Sequence, residues 1–209
     1  MQPHHPPKLR LVAACGAREL SGDRELVRAC LAREAGAGDA LWHKHGPMVF
    51  RLLGRALGPH GDVEDAAQDV FVNVFSKLDT LRNPEALQSF VYSVAVRVLK
   101  WEFRQRRARR LLHLWGDAKF PDVQVAAADT DARYALEHLY RVLDRMGAED
   151  RLIFSLRHLE GMKLQEIADS LGVSVATTKR KLQRASAWVS AAVDGDPALA
   201  SYGTKERAP

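Results

Sequence analysis

Lys163-Leu-Gln-Glu-Ile-Ala-Asp-Ser-Leu171-Gly172-Val173-Ser174-Val-Ala-Thr-Thr-Lys179-Arg-Lys-Leu-Gln-Arg184 is the stretch whose reading decides the fold. Leu164, Ile167, Ala168 and Leu171 recur at helical spacing and make one apolar face. Ala168 is small where a second helix has to cross closely. Gly172 supplies a left-handed turn, Val173 plugs the corner, and Ser174 caps the next helix. That helix buries Thr178, Leu182, Ala185 and Val189. Its other side shows Ala176, Lys179, Arg180, Gln183 and Arg184. The order predicts a helix-turn-helix whose second helix enters a major groove by its N-terminal end.

The same period extends outward. Helices are expected over 23–35, over 39–57 with Asp39 as cap, and over 62–78, then from 84 through the basic stretch to 110. Further helices are expected over 132–146, with Ala132, Leu136, Leu139, Leu143 and Met146 as its apolar face, and over 148–159. In the third, Val63, Ala66, Ala67, Val70, Phe71, Val74, Phe75 and Leu78 form an unbroken apolar stripe, with Asp62 as cap. In the fourth, Asn83-Pro84 starts the helix, and Leu87, Phe90, Val91, Val94, Val98 and Trp101 are the expected buried stripe. No strand pattern occurs. The stretch 111–129 loses the period around Gly116 and Pro121, which places a domain boundary there. The expected fold is all-α, two small helical domains joined by a flexible linker, the second carrying the helix-turn-helix. The divisions are a disordered extension 1–22, a first domain 23–110, a linker 111–129, a second domain 130–193 and a tail 194–209.

Charge is distributed unevenly. The whole chain carries +5 over 209 residues, with 31 Lys+Arg and 26 Asp+Glu. Residues 97–110 hold seven bases and one acid, a net of +6, more than the whole chain. Arg97, Lys100, Arg104 and Arg107 fall on one helix face, a shape suited to tracking a phosphate backbone. A second basic cluster is Lys179, Arg180, Lys181 and Arg184, with no acid from 172 to 193. Asp62, Glu64, Asp65 and Asp69 form the opposite extreme, with no base until Lys77. The solvent face of that acidic helix shows Asp65, Gln68, Asp69, Asn73 and one apolar residue, Val72.

Several classes are excluded. Cys15 and Cys30 are the only cysteines, too few for a disulfide framework or a Cys-rich zinc site. No run of 18 apolar residues exists, so no membrane insertion is expected, and Arg10 interrupts the short apolar stretch before Cys15. A metal-dependent hydrolase using Asp62, Glu64, Asp65, Asp69, His43, His45 and His60 lacks any recognised ligand spacing. The expectation is a non-enzyme without metal or cofactor, in the cytoplasm. A regulator that acts by its helix-turn-helix on DNA alone is the alternative, but it leaves the acidic helix and the first basic domain unexplained.

These motifs together resemble the bacterial RNA polymerase sigma factors of the extracytoplasmic-function group. Gly61-Asp-Val-Glu-Asp-Ala-Ala-Gln-Asp-Val-Phe71 is similar to the acidic helix of the family's region two, and Ser89-Phe-Val-Tyr-Ser-Val-Ala95 to the start of its promoter-reading helix. Leu159-Glu-Gly161, Gln165-Glu-Ile-Ala168, Leu171-Gly-Val-Ser-Val175 and Lys181-Leu-Gln-Arg-Ala185 resemble region four. Phe90 and Arg97 stand where many members have Trp and Asn, and Arg180-Lys181 where Ser-Arg is common.

The resemblance implies that Asp65, Gln68, Asp69 and Val72 dock on the core RNA polymerase. It implies that the loop Thr80-Leu-Arg-Asn-Pro-Glu85, with Arg82 and Asn83, holds a base flipped from the minus-ten element of promoter DNA. Unstacking that base costs on the order of a few kcal/mol, which its capture offsets. Arg97, Lys100, Arg104 and Arg107 are implied to hold phosphates at the upstream edge of the melted bubble. Ser174, Ala176, Thr177, Lys179, Arg180, Lys181, Gln183 and Arg184 are implied to lie against the minus-thirty-five element. An anti-sigma factor is implied as a further partner.

Overall fold

The computed structural model describes residues 22–59, 61–113 and 130–195. Nearly all of the expected extension and linker, most of the tail, Cys15 and His60 lie outside them. The described residues are helical, with no strand among them. α1 is Asp23–Leu31, α2 Ala37–Leu57, α3 Val63–Lys77 and α4 Leu87–His113. After the linker come α5 Thr130–Asp144, α6 Ala148–Phe154, α7 Leu164–Leu171 and α8 Val175–Asp194.

Local chemistry sets the boundaries. The Asp62 carboxylate accepts the Asp65 N–H at 3.0 Å and starts α3. Asn83 accepts the Glu85 N–H at 3.1 Å, but the chain first makes a 3₁₀ turn, Pro84–Ala86, and only then enters α4. α2 begins at Ala37 behind Gly36, earlier than expected, so Asp39 lies inside its first turn rather than capping it. The helix expected over 148–159 is regular only to Phe154. It then widens into a π turn, Ser155–Leu159, in which the Glu160 N–H reaches back to the Ser155 carbonyl at 3.1 Å.

α2, α3 and α4 pack on one another, and α1 lies against α2. α6 and α7 pack on α8, and α5 meets α8. α4 also packs against α6 and α7. One apolar core therefore runs from Leu41, Leu53, Val70 and Val91 through Leu99 and Phe103 to Leu152, Ile153, Leu156 and Ile167. A smaller cluster gathers Tyr140, Leu143, Met146, Phe154 and Ala185 under α5 and α8.

This packing corrects three expectations. Trp101 is not in the buried stripe of α4; it is 49% exposed, whereas Ala95, Val96, Leu99 and Phe103 are buried. The stripe is wider than one face because α4 is covered from two sides. Phe75 at the end of α3 is also largely exposed. In α5, Leu136 is exposed, and Ala135 and Tyr140 are buried in its place, beside the expected Leu143 and, just past the helix, Met146. The Tyr140 hydroxyl donates to the Arg55 carbonyl at 2.6 Å, so α5 is turned toward the end of α2.

Candidate nucleic-acid and protein interfaces

The helix-turn-helix is built as its residue types require. Gly172 has φ +65°, and the Val173 N–H bonds the Ala168 carbonyl at 3.0 Å to close α7. The Ser174 hydroxyl accepts the Thr177 N–H at 3.2 Å and opens α8. Thr178 is fully buried, and its hydroxyl donates to the Ser174 carbonyl at 3.1 Å, so a polar residue fits the core of the turn. Ile167, Ala168 and Ala185 are buried beside it. Ala176, Lys179, Arg180, Gln183 and Arg184 all face solvent, with Ser174 at the same end. Thr177 is half-buried, its hydroxyl accepting from Ser174 at 2.9 Å.

Lys181 departs from this face. It is half-buried and pairs with Glu149 at the start of α6. Arg184, although exposed, donates two bonds to Asp150, both at 2.7 Å.

On α4, Arg97, Arg104 and Arg107 are exposed and Lys100 is half-buried. Lys100 pairs with Glu149 at 2.8 Å, and Arg104 reaches the same oxygen at 3.6 Å. Arg82 and Asn83 are exposed in the turn before α4, the Asn83 carbonyl oxygen already engaged as a cap.

The acidic face of α3 presents Asp65 to solvent, with Gln68 and Asp69 half-buried and Val72 exposed to 50%. Burial, and then the neighbouring charge of Asp65, push the Asp69 carboxyl above the ordinary carboxylate range. Asp69 also lines a groove of about 300 Å³ between α3 and α4, with Asn73, Lys77, Arg97 and Trp101. Val72, Phe75 and Trp101 give this side of the molecule three large apolar side chains in solvent.

Glu149 and Asp150 were not marked as site residues by the sequence. Acids in a first helical turn are ordinary there, and their partners lie more than 30 residues away. Hydrogen bonds from Lys100 and Lys181 hold the Glu149 carboxyl down to about 2. Among the described residues no three His, Cys, Asp or Glu side chains gather around a position for a metal ion. His45 is buried in α2, where burial lowers its basicity, and His43 faces solvent. No described helix is long and apolar enough to cross a membrane.

Both helical regions match known families. The family model described as Sigma-70 region 2 matches residues 41–109, and that described as Sigma-70, region 4 matches residues 136–189. The ferric citrate uptake sigma factor FecI of Escherichia coli is 30% identical over 155 residues, covering 70% of this chain and 85% of the relative. The ECF RNA polymerase sigma factor SigM of Mycobacterium tuberculosis is 26% identical, covering 87% and 91%. Among solved structures, CnrH in complex with the cytosolic domain of CnrY superposes with a TM-score of 0.54 at 24% identity, covering 83% of this chain and 98% of that one. The sigma factor RpoE in complex with the anti-sigma factor NepR from Bartonella quintana gives 0.52 at 16% identity, covering 72% and 92%. These two likenesses establish the all-helical, two-part fold.

Proposed function

The chain belongs to the sigma-70 family of RNA polymerase sigma factors, in the extracytoplasmic-function group, and directs promoter recognition in transcription initiation; from this premise we propose how its surfaces divide the work. The exposed face of α3, with Asp65, Gln68, Asp69 and Val72, docks on core polymerase. Its carboxylates give steering and register, and Val72 gives an apolar anchor. Arg82 and Asn83 hold the extruded base of the minus-ten element. Arg97, Lys100, Arg104 and Arg107 track the phosphates at the edge of the bubble.

The N-terminal half of α8 reads the minus-thirty-five element. Ser174, Ala176 and Thr177 lie at its entry, where small side chains allow close approach. Lys179, Arg180, Lys181, Gln183 and Arg184 supply groove and backbone contacts. The first region spans 23–110 and the second 130–193, joined by the linker 111–129, with 1–22 and 194–209 outside both.

Sigma factors are not a class of enzymes. For this chain the proposed mechanism makes and breaks no covalent bond and uses no cofactor or metal. It binds polymerase, delivers it to a promoter, helps melt the duplex and leaves, all in the cytoplasm. Relatives of known structure are held by CnrY and by the anti-sigma factor NepR. An anti-sigma partner is proposed for this chain on that ground.

The observation that carries the reading is the order along one chain: an acidic solvent face, a basic helix face, then a capped helix-turn-helix with a second basic face. The alternative regulator has no use for the first of these. The test is transcription in vitro with core polymerase and a promoter library. Transcripts that start only when the chain is present, from templates sharing two spaced elements, are expected. A chain that neither binds core polymerase nor supports any start refutes the reading.

A further inference from the structure

A cleft of about 590 Å³ lies between the first helical group, α1–α4, and the second, α5–α8. Met48 of α2, Tyr92 of α4 and Met162 line it, and the Tyr92 hydroxyl donates to the Met162 sulfur at 2.9 Å. Glu160, Glu166 and Asp169 give the second group's wall three carboxylates, against Arg51 on the first. The walls are held in register by Arg151, whose guanidinium pairs with Asp144, donates to the Ala56 carbonyl at 3.3 Å and lies 4.2 Å from the centre of the Phe103 ring. The surfaces proposed for polymerase and DNA use none of the residues that line the cleft.

Glu160 leaves the cleft chemically unfinished. It follows the π turn Ser155–Leu159, a widening frequent at binding sites. Its side chain is only 8% exposed, yet its buried Oε1 accepts no hydrogen bond from a described residue, and the Arg55 guanidinium stands 3.6 Å away. A carboxylate oxygen held this way costs free energy until a donor reaches it. Glu166 takes the Lys163 N–H at 2.7 Å and Asp169 the Gln165 amide at 2.9 Å, each through a single oxygen. Burial, and then the charges of Glu160 and Glu166, push the Tyr92 hydroxyl above its ordinary range, with Arg51 opposing. The cleft thus offers acceptors on one wall and thioether and ring surface on the other. A chain that alternates cations with aliphatic side chains fits it.

Such a segment exists outside the described residues. Residues 1–21 contain Lys8, Arg10 and Arg18 and one acid, Glu19. Residues 114–129 contain Lys119 against Asp117, Asp122 and Asp129, and residues 196–209 balance Lys205 and Arg207 with Asp196 and Glu206. The first of these three stretches alone is basic, and within it Lys8-Leu-Arg-Leu-Val12 alternates. In extended chain Lys8 and Arg10 fall on one side, and Leu9 and Leu11 on the other. The stretch also leads into the structure beside the cleft. Asp23 pairs with Lys44 at 2.6 Å and Arg24 with Glu85 at 3.7 Å. Met48 is one turn beyond Lys44, and Gln88 and Ser89, at the cleft's edge, are one turn beyond Glu85. A helical turn is about 5.4 Å, whereas residues 13–22 extend up to about 33 Å, so the segment reaches the cleft with slack.

We propose that Lys8-Leu-Arg-Leu-Val12 docks along this cleft, with Lys8 and Arg10 facing Glu160, Glu166 and Asp169, and Leu9 and Leu11 covering Met48, Tyr92 and Met162. The extension is then a part of the folded chain that touches both helical groups, not a spacer ahead of them. The proposal draws on no assignment of a surface to DNA or polymerase.

The test uses the full chain with the photo-crosslinking residue p-benzoylphenylalanine in place of Leu9. Crosslinks are mapped by mass spectrometry in an equal mixture of isotope-labelled and unlabelled chains, which separates those within a chain from those between copies. K8E/R10E reverses the charge of the segment without altering a described residue. E166K/D169K, added to it, reverses the wall. E64K/D79K, at two exposed sites away from the cleft, adds the same charge elsewhere. If circular dichroism shows that E166K/D169K has lost helix, because Glu166 takes the N–H at the start of α7, D169K replaces it and is set against D79K.

The expected result is crosslinks within one chain to the peptides that carry Met48, Tyr92 or Met162. Their yield should fall at least about fivefold in K8E/R10E, because it scales with the docked fraction. It should recover at least about threefold when the wall is reversed and not when E64K/D79K is added. Crosslinks that lie elsewhere, or that join two copies, overturn the proposal. So does a smaller fall in K8E/R10E, or a wall reversal that restores no more than the control pair. Failure of the sigma reading shows in transcription in vitro and leaves these crosslinks as they are.

Discussion

Replacing Arg151 by Met should destabilise the chain more than any exposed substitution. The side chain is 3% exposed, and the Asp144 side chain it pairs with is 17% exposed. Met keeps most of the stem volume over Phe103 but removes the charge and all the donors. Asp144 then loses this partner, and the Ala56 carbonyl at the end of α2 loses its Arg151 donor, while the Leu57 carbonyl keeps Arg106 at 3.1 Å. Breaking a buried pair from one side costs about 3–5 kcal/mol, and the partial exposure of Asp144 points to the lower end. With a urea slope of about 2 kcal/mol/M, a loss of about 3 kcal/mol lowers the midpoint by about 1.5 M. Because Arg151 joins α6 to α2, the transition should also broaden or split as the two groups unfold separately. Urea titration followed by far-UV circular dichroism reads both effects. R151M/D144N should recover part of the loss, since it removes the carboxylate left without Arg151. A midpoint shift below about 0.3 M, or a double variant less stable than R151M, refutes the reasoning.

Charge reversal at Asp65 and Asp69 to Lys should abolish capture by core polymerase while the circular dichroism spectrum stays unchanged, because one side chain is exposed and the other half-buried. Ser174→Ala removes the acceptor of the Thr177 N–H and should cost about 1 kcal/mol in a thermal melt, with Ser174→Asp retaining most of the stability. Glu149 faces Lys100, Arg104 and Lys181, and its carboxyl sits at about 2 against an ordinary 4.5. A lowered carboxyl stabilises the folded arrangement fully above 4.5 and loses that effect as pH falls toward 2. The stability gap between the native chain and E149Q should therefore be constant from pH 5 to 8, within about 0.2 kcal/mol, and should close on acidification below the ordinary carboxylate range.

Much of the fold was legible because local chemistry decides it. Asp62, Asn83, Gly172 and Ser174 act within a few residues of themselves, and each caps or turns the chain where its residue type predicts. The helices that diverged did so where a distant element intervened. Trp101 continues the period of Val94 and Val98, yet it faces solvent, because α4 turns Leu99 and Phe103 toward the second group instead. Leu136 lost its place in the core for the same kind of reason, with Tyr140 drawn to the end of α2. A helical period reports that a face is apolar. It does not report how many neighbours compete to cover it.

The candidate surfaces show the same limit more sharply. Arg97, Lys179, Arg180 and Gln183 stand exposed where their spacing puts them. Lys100, Arg104 and Arg184 share those faces and Lys181 lies beside one of them, but each has a carboxylate partner within the chain. Nothing in either basic segment separates the two sets, because the difference is made by Glu149 and Asp150 in a third. Neutralising a base in the free chain does not argue against its role on DNA. An exposed pair contributes about 1 kcal/mol or less, whereas several such bases released together onto a polyanion regain their contacts and also expel condensed counterions. The balance between acidic turn and phosphate is thus set by how many pairs break at once: Lys100 and Arg104 leave Glu149 when α4 parts from α6, whereas Lys181 and Arg184 meet their acids between α8 and α6, which pack on each other.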